Sequence, residues 1–284
     1  MPVMHDPQLI FDIGAHDGTD TAFYLRQGYR VVGVEANPAL TEKLSRRFAR
    51  ERAEGRLTVV QAVVAECDGV ILPFYVSRND HRSSLDPGIA AGDGLAVTPV
   101  FINSRTLSSM FREFGIPVYC KLDIEGADAS AIRGLEAGAR PPLISCEACS
   151  DPIATVGMKP EKLHAALDAL QMAGYRQFKL VDQEHGLVLD EASHYGRLHS
   201  LSGRLRAKWE NFTGWYTRKH NLRRFLIRRG VLPGEETSGL WGDDLPGDWA
   251  DYDRTKKRLH YHFQDYFIHT QNRQLIFWVD IHAR

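Results

Sequence analysis

The chain has 284 residues, of which 25% are charged and 10% aromatic, and its formal net charge is -1. That length allows one sizeable α/β domain with insertions, or two small domains, and the near-zero charge gives no reason to expect nucleic acid as a partner. No apolar run approaches the roughly 20 residues that span a bilayer, and the opening MPVMHDPQLIF has no basic and apolar signal, so the expected location is the cytoplasm. Four cysteines, Cys67, Cys120, Cys146 and Cys149, are too few for a secreted disulfide framework. Cys146 and Cys149 have redox or zinc spacing but no second pair at finger distance, and they read as reduced small hydrophobes.

Residues 9–37 read as strand, glycine turn, helix and second strand. The apolar run Leu9, Ile10, Phe11 feeds a turn with Gly14 and Gly18 four apart, a helical stretch covers 21–27, and residues 31–35 end on Glu35. Glycine lets backbone approach a ligand, and the following helix start offers unpaired N–H groups. Glu35 stands 21 residues after Gly14, where a nucleotide-binding unit places an acid on ribose hydroxyls, so the cofactor should be an adenosine compound. A dinucleotide turn needs G-x-G-x-x-G, and His16 occupies the place of its second glycine.

Pro38 opens the next helix, striped by Leu40, Leu44 and Phe48. Residues 57–64 form a third strand and 70–76 part of a short hairpin. Residues 77–105, rich in Gly, Pro and Asp, read as a substrate loop or lid. A helix capped by Thr106 covers 106–114. A strand and turn follow over 118–126, then a helix over 127–137. Period-two alternation puts Lys121, Asp123 and Glu125 on one side and Leu122 and Ile124 on the other. Residues 143–147 repeat the pattern, ending on Glu147, and 162–173 and 175–181 read as helix and sixth strand.

Residues 183–270 break this rhythm. Between Arg197 and Arg229 the basic side chains are opposed by Glu210 alone and interleaved with Trp209, Phe212, Trp215, Tyr216 and Phe225. Such a surface suits an acidic or phosphate-bearing acceptor, an acidic partner, or peripheral contact with an anionic membrane through residues 197–229. Residues 252–267 read as helix, and His260, His262 and His269 show no metal-ligand spacing. Residues 274–282 return as a final strand beside the sixth. The expected organisation is a core over 1–182 containing the loop 77–105, a basic, aromatic helical insertion or lid over 183–270, and a returning strand over 271–284.

The turn Asp12-x-Gly14-x-x-x-Gly18 resembles motif I of class I S-adenosylmethionine (AdoMet) methyltransferases. IGAHDGT at 13–19, VEANP at 34–38, SSL at 83–85, Thr106 with Leu107, and KLDIEGAD at 121–128 resemble the FkbM family of these enzymes. The resemblance covers about 9–181 and returns at the last strand. It implies a Rossmann-like class I methyltransferase fold, a seven-stranded, mostly parallel sheet with an antiparallel last strand. It further implies methylation of a hydroxyl, often on a sugar or natural product. The family turn often carries Asn where His16 stands.

On that resemblance Asp12, Gly14, Ala15, Gly18 and Thr19 would hold the amino acid tail of AdoMet and Glu35 its ribose. Ala36 and Asn37 would flank adenine, with Ala62 and Val63 adding apolar contact. Asp123 would bind the ammonium or orient the acceptor. Glu125 is the first choice of general base, with Glu147 and His81 behind it. Lys121 would pair with Asp123 or Glu147 and keep it ionised. Oxygen ligands from Asp123, Glu125 and Glu147 would suit Mg²⁺, but nothing in their spacing calls for a metal. Two other classes remain open: a nicotinamide-dependent oxidoreductase, and a non-enzymatic module that binds through the basic insertion.

Overall fold

A computed structural model of the chain describes residues 5–92, 94, 96–136, 138–149, 160–182, 187–189, 241–245, 247–270 and 279–284. The N-terminal half alternates strand and helix: β1 (Asp6–Ile13), α1 (Thr19–Arg26), β2 (Arg30–Glu35), α2 (Pro38–Arg47), α3 (Ala49–Ala53), β3 (Leu57–Gln61) and β4 (Val63–Val64). Next come β5 (Ile71–Ser77), α4 (Pro87–Ala91), β6 (Val97–Arg105), α5 (Leu107–Phe114), β7 (Pro117–Leu122) and α6 (Asp128–Arg133). The remainder comprises β8 (Leu143–Cys149), α7 (Pro160–Met172), β9 (Phe178–Asp182), β10 (Leu187–Val188), α8 (Tyr252–Thr270) and β11 (Val279–Ala283).

The main sheet has eight strands in the order β10-β9-β11-β8-β7-β1-β2-β3. Strands β3, β2, β1, β7 and β8 run parallel, whereas β11 is antiparallel to both β8 and β9. The two-residue β10 adds an edge to the expected seven. The last strand lies between β8 and β9, in contact with the fifth long strand as well as the sixth. Leaving out β10, this is a doubly wound, Rossmann-like sheet with a reversed final strand.

The apolar run of β1 explains its central place. A strand covered on both faces must be apolar at successive positions. Leu9, Phe11 and Ile13 join one core with Val32 and Val34, while Ile10 joins the other with Val31 and Tyr119. Period two thus divides one strand between two cores. Helix α7 buries Leu163, Ala166, Leu167 and Leu170 in the first core, the i, i+3, i+4, i+7 spacing of an amphipathic helix. Its neighbour α8 buries Leu259 there.

Three expectations are corrected. Residues 57–64 are not one strand: β3 ends at Gln61, and Val63 and Val64 pair with Ser104 and Arg105 in a separate three-stranded sheet, β4-β6-β5. Residues 77–105 are not all loop, because 97–105 form β6, antiparallel to β5 from Ile71↔Asn103 to Ser77↔Val97. The proline and glycine signals belong only to the connection at 78–96, which itself contains α4. The helix expected over 127–137 is the shorter α6, closed at Gly134. Helix α5 is capped as expected, with Thr106 Oγ1 accepting the Ser109 N–H at 3.0 Å. The basic stretch at 197–229, and residues 183–186, 190–240 and 271–278 generally, lie outside the described residues. No helix among the described residues is long and apolar enough to cross a membrane.

Candidate functional site

The chain winds from β1 through β2 to β3 on one side, then crosses to β7 on the other side of β1. Ligands in open α/β sheets bind at the carboxyl ends of strands beside such a reversal. A cleft opens there, lined by the ends of β1 and β2 and by the segment after β7.

Its floor is the turn after β1. Gly14 has φ +77°, and a Cβ built on it would fall 1.9 Å from the Asp123 carbonyl oxygen, so only glycine lets the ends of β1 and β7 approach this closely. The Gly14 and Ala15 N–H groups both donate to the Val34 carbonyl, at 2.9 and 3.0 Å, tying the turn to β2.

Glu35 ends β2 at the cleft wall and is 7% exposed. Its Oε2 accepts the His16 N–H at 2.9 Å and its Oε1 the Asn37 N–H at 2.7 Å. Burial raises the Glu35 pKa, and these backbone donors oppose the shift. The carboxylate is therefore held in one orientation with lone pairs left over. Beside it Ala36, Leu40, Ala62, Val63 and Phe74 form an apolar slot. Asp123, Ile124 and Glu125 make the opposite wall, and Asp80, His81, Ser83 and Leu85 make the rim.

Several expected site residues, Asp12, Ala15, Gly18, Thr19, Asn37 and Glu147, are not among those that line the cleft. Asp12 is fully buried and accepts from the Thr21 hydroxyl at 2.5 Å. Ala15 is buried against the position of Gly33. Gly18 starts α1 at φ +85°, where a Cβ would meet Phe48 and Leu44 at 2.5 and 2.6 Å. Thr19 turns its N–H and hydroxyl onto Asp17. Asn37 caps α2, its Oδ1 accepting the Ala39 N–H at 3.0 Å. Glu147 lies within the sheet, level with Asp280.

The alternation expected over 121–125 stops with β7 at Leu122. Asp123, Ile124 and Glu125 belong to a turn, and all three face the cleft. Glu125 adopts φ +49°, a backbone region that few residues other than glycine enter, so its position is set by its surroundings. The Ser84 hydroxyl donates to the Glu125 carbonyl at 2.8 Å, and a Cβ on Gly126 would meet Ile89 Cδ1 at 2.7 Å. The connection carrying α4 thus sits directly on the turn that holds Glu125.

Beneath the floor Lys121 is buried, its Nζ 2.9 Å from Asp20 Oδ2, 3.2 Å from Asp123 Oδ2 and 3.9 Å from Asp12 Oδ1. Burial pulls its ammonium pKa down, but Asp20, Asp123 and Asp12 together hold it well above the ordinary value. Its expected pairing with Asp123 is present. Burial pushes Asp12 up to about 6 against the pull of Lys121. Glu147 is raised well above the usual carboxylate range by burial, then by Asp123, Glu125, Asp128 and Asp280, which favours its protonated form.

His81 is in the cleft as expected. Residue spacing did not reveal His16, Asp80 or Phe74 as wall residues: His16 stood out only as a departure from a glycine pattern, and Asp80 sits in an irregular connection with no periodicity to place it.

The methyltransferase FkbM domain matches residues 12–177, more than half of the chain. The chain belongs to that family. A probable ribosomal RNA small subunit methyltransferase A from Methanospirillum hungatei is 44% identical over 54 residues, 19% of this chain and 21% of that protein. Among solved structures, a methyltransferase FkbM from Methylobacillus flagellatus aligns with TM-score 0.41 and 18% identity over 62% of this chain and 40% of its own. A SAM-dependent methyltransferase from Geobacter sulfurreducens, in complex with S-adenosyl-L-homocysteine, aligns with TM-score 0.36 and 14% identity over 99% of this chain and 86% of its own. The chain thus spans about a fifth of the curated relative and two fifths of the first of these structures.

Proposed function

We propose that this FkbM-family chain transfers a methyl group from AdoMet to a hydroxyl of a saccharide or other hydroxylated metabolite. The observation that carries this reading is Glu35, oriented by two backbone N–H groups at the wall of a cleft whose floor is the cradle at Gly14. A carboxylate so placed suits the two ribose hydroxyls, and the apolar slot beside it suits a planar base. Gly14 and Asp123 would face the amino acid tail, with the Lys121 ammonium 3.2 Å from the Asp123 carboxylate.

When bound, AdoMet supplies a sulfonium methyl already activated for in-line displacement. The protein must align the acceptor oxygen, exclude water and remove one proton. Glu125 is the proposed base. Its carboxylate would take the acceptor hydroxyl's proton as that oxygen accepts the methyl group. Products are a methyl ether, S-adenosylhomocysteine and a protonated Glu125. Ser84 and Ile89 of the 78–96 connection contact the turn bearing Glu125, and this connection would help to shield the reaction from solvent. Hydride transfer is disfavoured, because the His16 side chain occupies the place where a dinucleotide turn needs glycine.

Calorimetry with AdoMet and S-adenosylhomocysteine tests the cofactor half of this reading. Transfer of labelled methyl to a panel of sugars and hydroxylated metabolites tests the other half. Binding of S-adenosylhomocysteine and loss of turnover in Glu125→Gln are expected. Absence of cofactor binding in well-folded protein, or unchanged turnover in Glu125→Gln, overturns it.

A further inference from the structure

Three ligand-type side chains converge at the rim of the cleft, apart from the groups assigned to AdoMet. One nitrogen each from His16 and His81 and one oxygen from Asp80 all lie within 4.8 Å of one another. His16 Nε2 is 3.4 Å from Asp80 Oδ1, and the two imidazole centroids are 4.2 Å apart at 30°. His16 Nε2 is shielded from solvent yet makes no hydrogen bond. A ring nitrogen shielded from solvent without a hydrogen bond is costly, and Asp80 at 3.4 Å stands just beyond the usual hydrogen-bond range.

The supports of His16 point the same way. Its φ of +47° is sparsely populated, and its N–H is fixed to Glu35 at 2.9 Å, so the ring is held in place by the cofactor wall. On the far side of the ring, Nδ1 faces Asp17 Oδ1 at 4.0 Å, the side on which a carboxylate commonly orients a metal-bound histidine. Asp17 is in turn held by Thr19 and Arg47. Unlike the carboxylates Asp123, Glu125 and Glu147, this set includes two imidazoles.

We propose that His16, Asp80 and His81 bind one first-row divalent cation such as Zn²⁺, Mn²⁺ or Co²⁺ at the cleft rim. Two imidazoles and one carboxylate select such ions over Mg²⁺ and Ca²⁺, which prefer all-oxygen ligands. Three protein ligands leave coordination positions open, as at catalytic sites. On the methyl-transfer reading, the open position would take the acceptor hydroxyl and make its proton easier for Glu125 to remove. Cation binding itself does not depend on that reading.

The test titrates the full chain, stripped with a chelator, with Zn²⁺, Mn²⁺ and Co²⁺ by calorimetry, and follows the visible absorption of bound Co²⁺. One ion per chain is expected. His81→Gln, Asp80→Asn and His16→Asn should each weaken binding about tenfold or more, with melting temperatures near that of the parent. Asparagine tolerates the left-handed backbone at position 16, so a loss of binding there reports the ligand and not the fold. His260→Gln, remote from the rim, should leave the stoichiometry unchanged. No saturable binding, or binding lost in His260→Gln but kept in His81→Gln, overturns the proposal. Separate titration with S-adenosylhomocysteine tells the two readings apart: cation binding without nucleoside binding defeats the methyl-transfer reading alone, and the reverse defeats the metal site alone.

Discussion

Gly14 and the carbonyl of Asp123 face each other so closely that a methyl group on Gly14 would fall 1.9 Å from the Asp123 oxygen. The carbonyl belongs to the turn that carries the proposed base, and Gly14 to the turn that carries the proposed cofactor cradle. The two halves of the site are therefore in register only because one residue has no side chain.

Gly14→Ala should separate those halves. Both the backbone contact and the +77° φ oppose it, so a loss of at least about 3 kcal/mol is expected. Thermal melting should show a large fall in Tm, and S-adenosylhomocysteine binding should be lost in whatever folds. A variant with parental stability and affinity would mean that the two turns are not coupled.

Glu35→Gln keeps the shape of the side chain but places an amide where one of two backbone N–H groups now finds an acceptor. We expect nucleoside affinity to fall roughly 10–100-fold, or about 1.4–2.8 kcal/mol, together with a modest drop in Tm. Calorimetry and melting measured on the same sample separate the two effects. An unchanged affinity would remove Glu35 from the ribose.

Lys121 is the shared counter-ion of Asp12, Asp20 and Asp123. Lys121→Met leaves Asp12 and Asp20 buried without it, and breaking a buried pair in this way costs about 3–5 kcal/mol. Denaturant unfolding at neutral pH should report that loss. It should shrink in acid as Asp12, raised to about 6 by burial, takes up its proton.

Asp128 lies fully buried in the first turn of α6, and burial, then the Asp123 charge, raises its pKa from the ordinary 3.8 to about 7. Its Oδ2 makes no hydrogen bond. A folded-state pKa above the unfolded one means that the native state holds the proton more tightly between these values. The stabilisation is complete below pH 3.8 and is lost as pH rises through 7. His282, lowered from 6.5 to about 3 by burial and Lys179, acts oppositely, favouring the folded state as pH rises through that window. A difference measurement isolates Asp128. Asp128→Asn should be more stable than the parent by roughly 1–3 kcal/mol at pH 8 and nearly equal to it at pH 4. The same stability difference at both pH values would show that Asp128 is ionised throughout.

Spacing along the chain determined the βαβ unit, the Gly14 turn, Glu35 at the end of β2, the Thr106 cap and the returning last strand. Each depends on contacts between near neighbours or on the periodicity of a single element, which a linear pattern contains. Only the tertiary structure decided which side chains reach the cleft. Asp12, Gly18, Thr19 and Asn37 fall within the expected motifs, yet they serve the floor, the helix starts and the packing beneath. His16, Asp80 and His81 come together because a left-handed turn after β1 meets a connection more than 60 residues later. The same applies to residues 97–105, whose glycine-rich lead-in reads as loop until β5 offers them a partner. Such meetings depend on how separate elements close over one another, and no local periodicity encodes that closure.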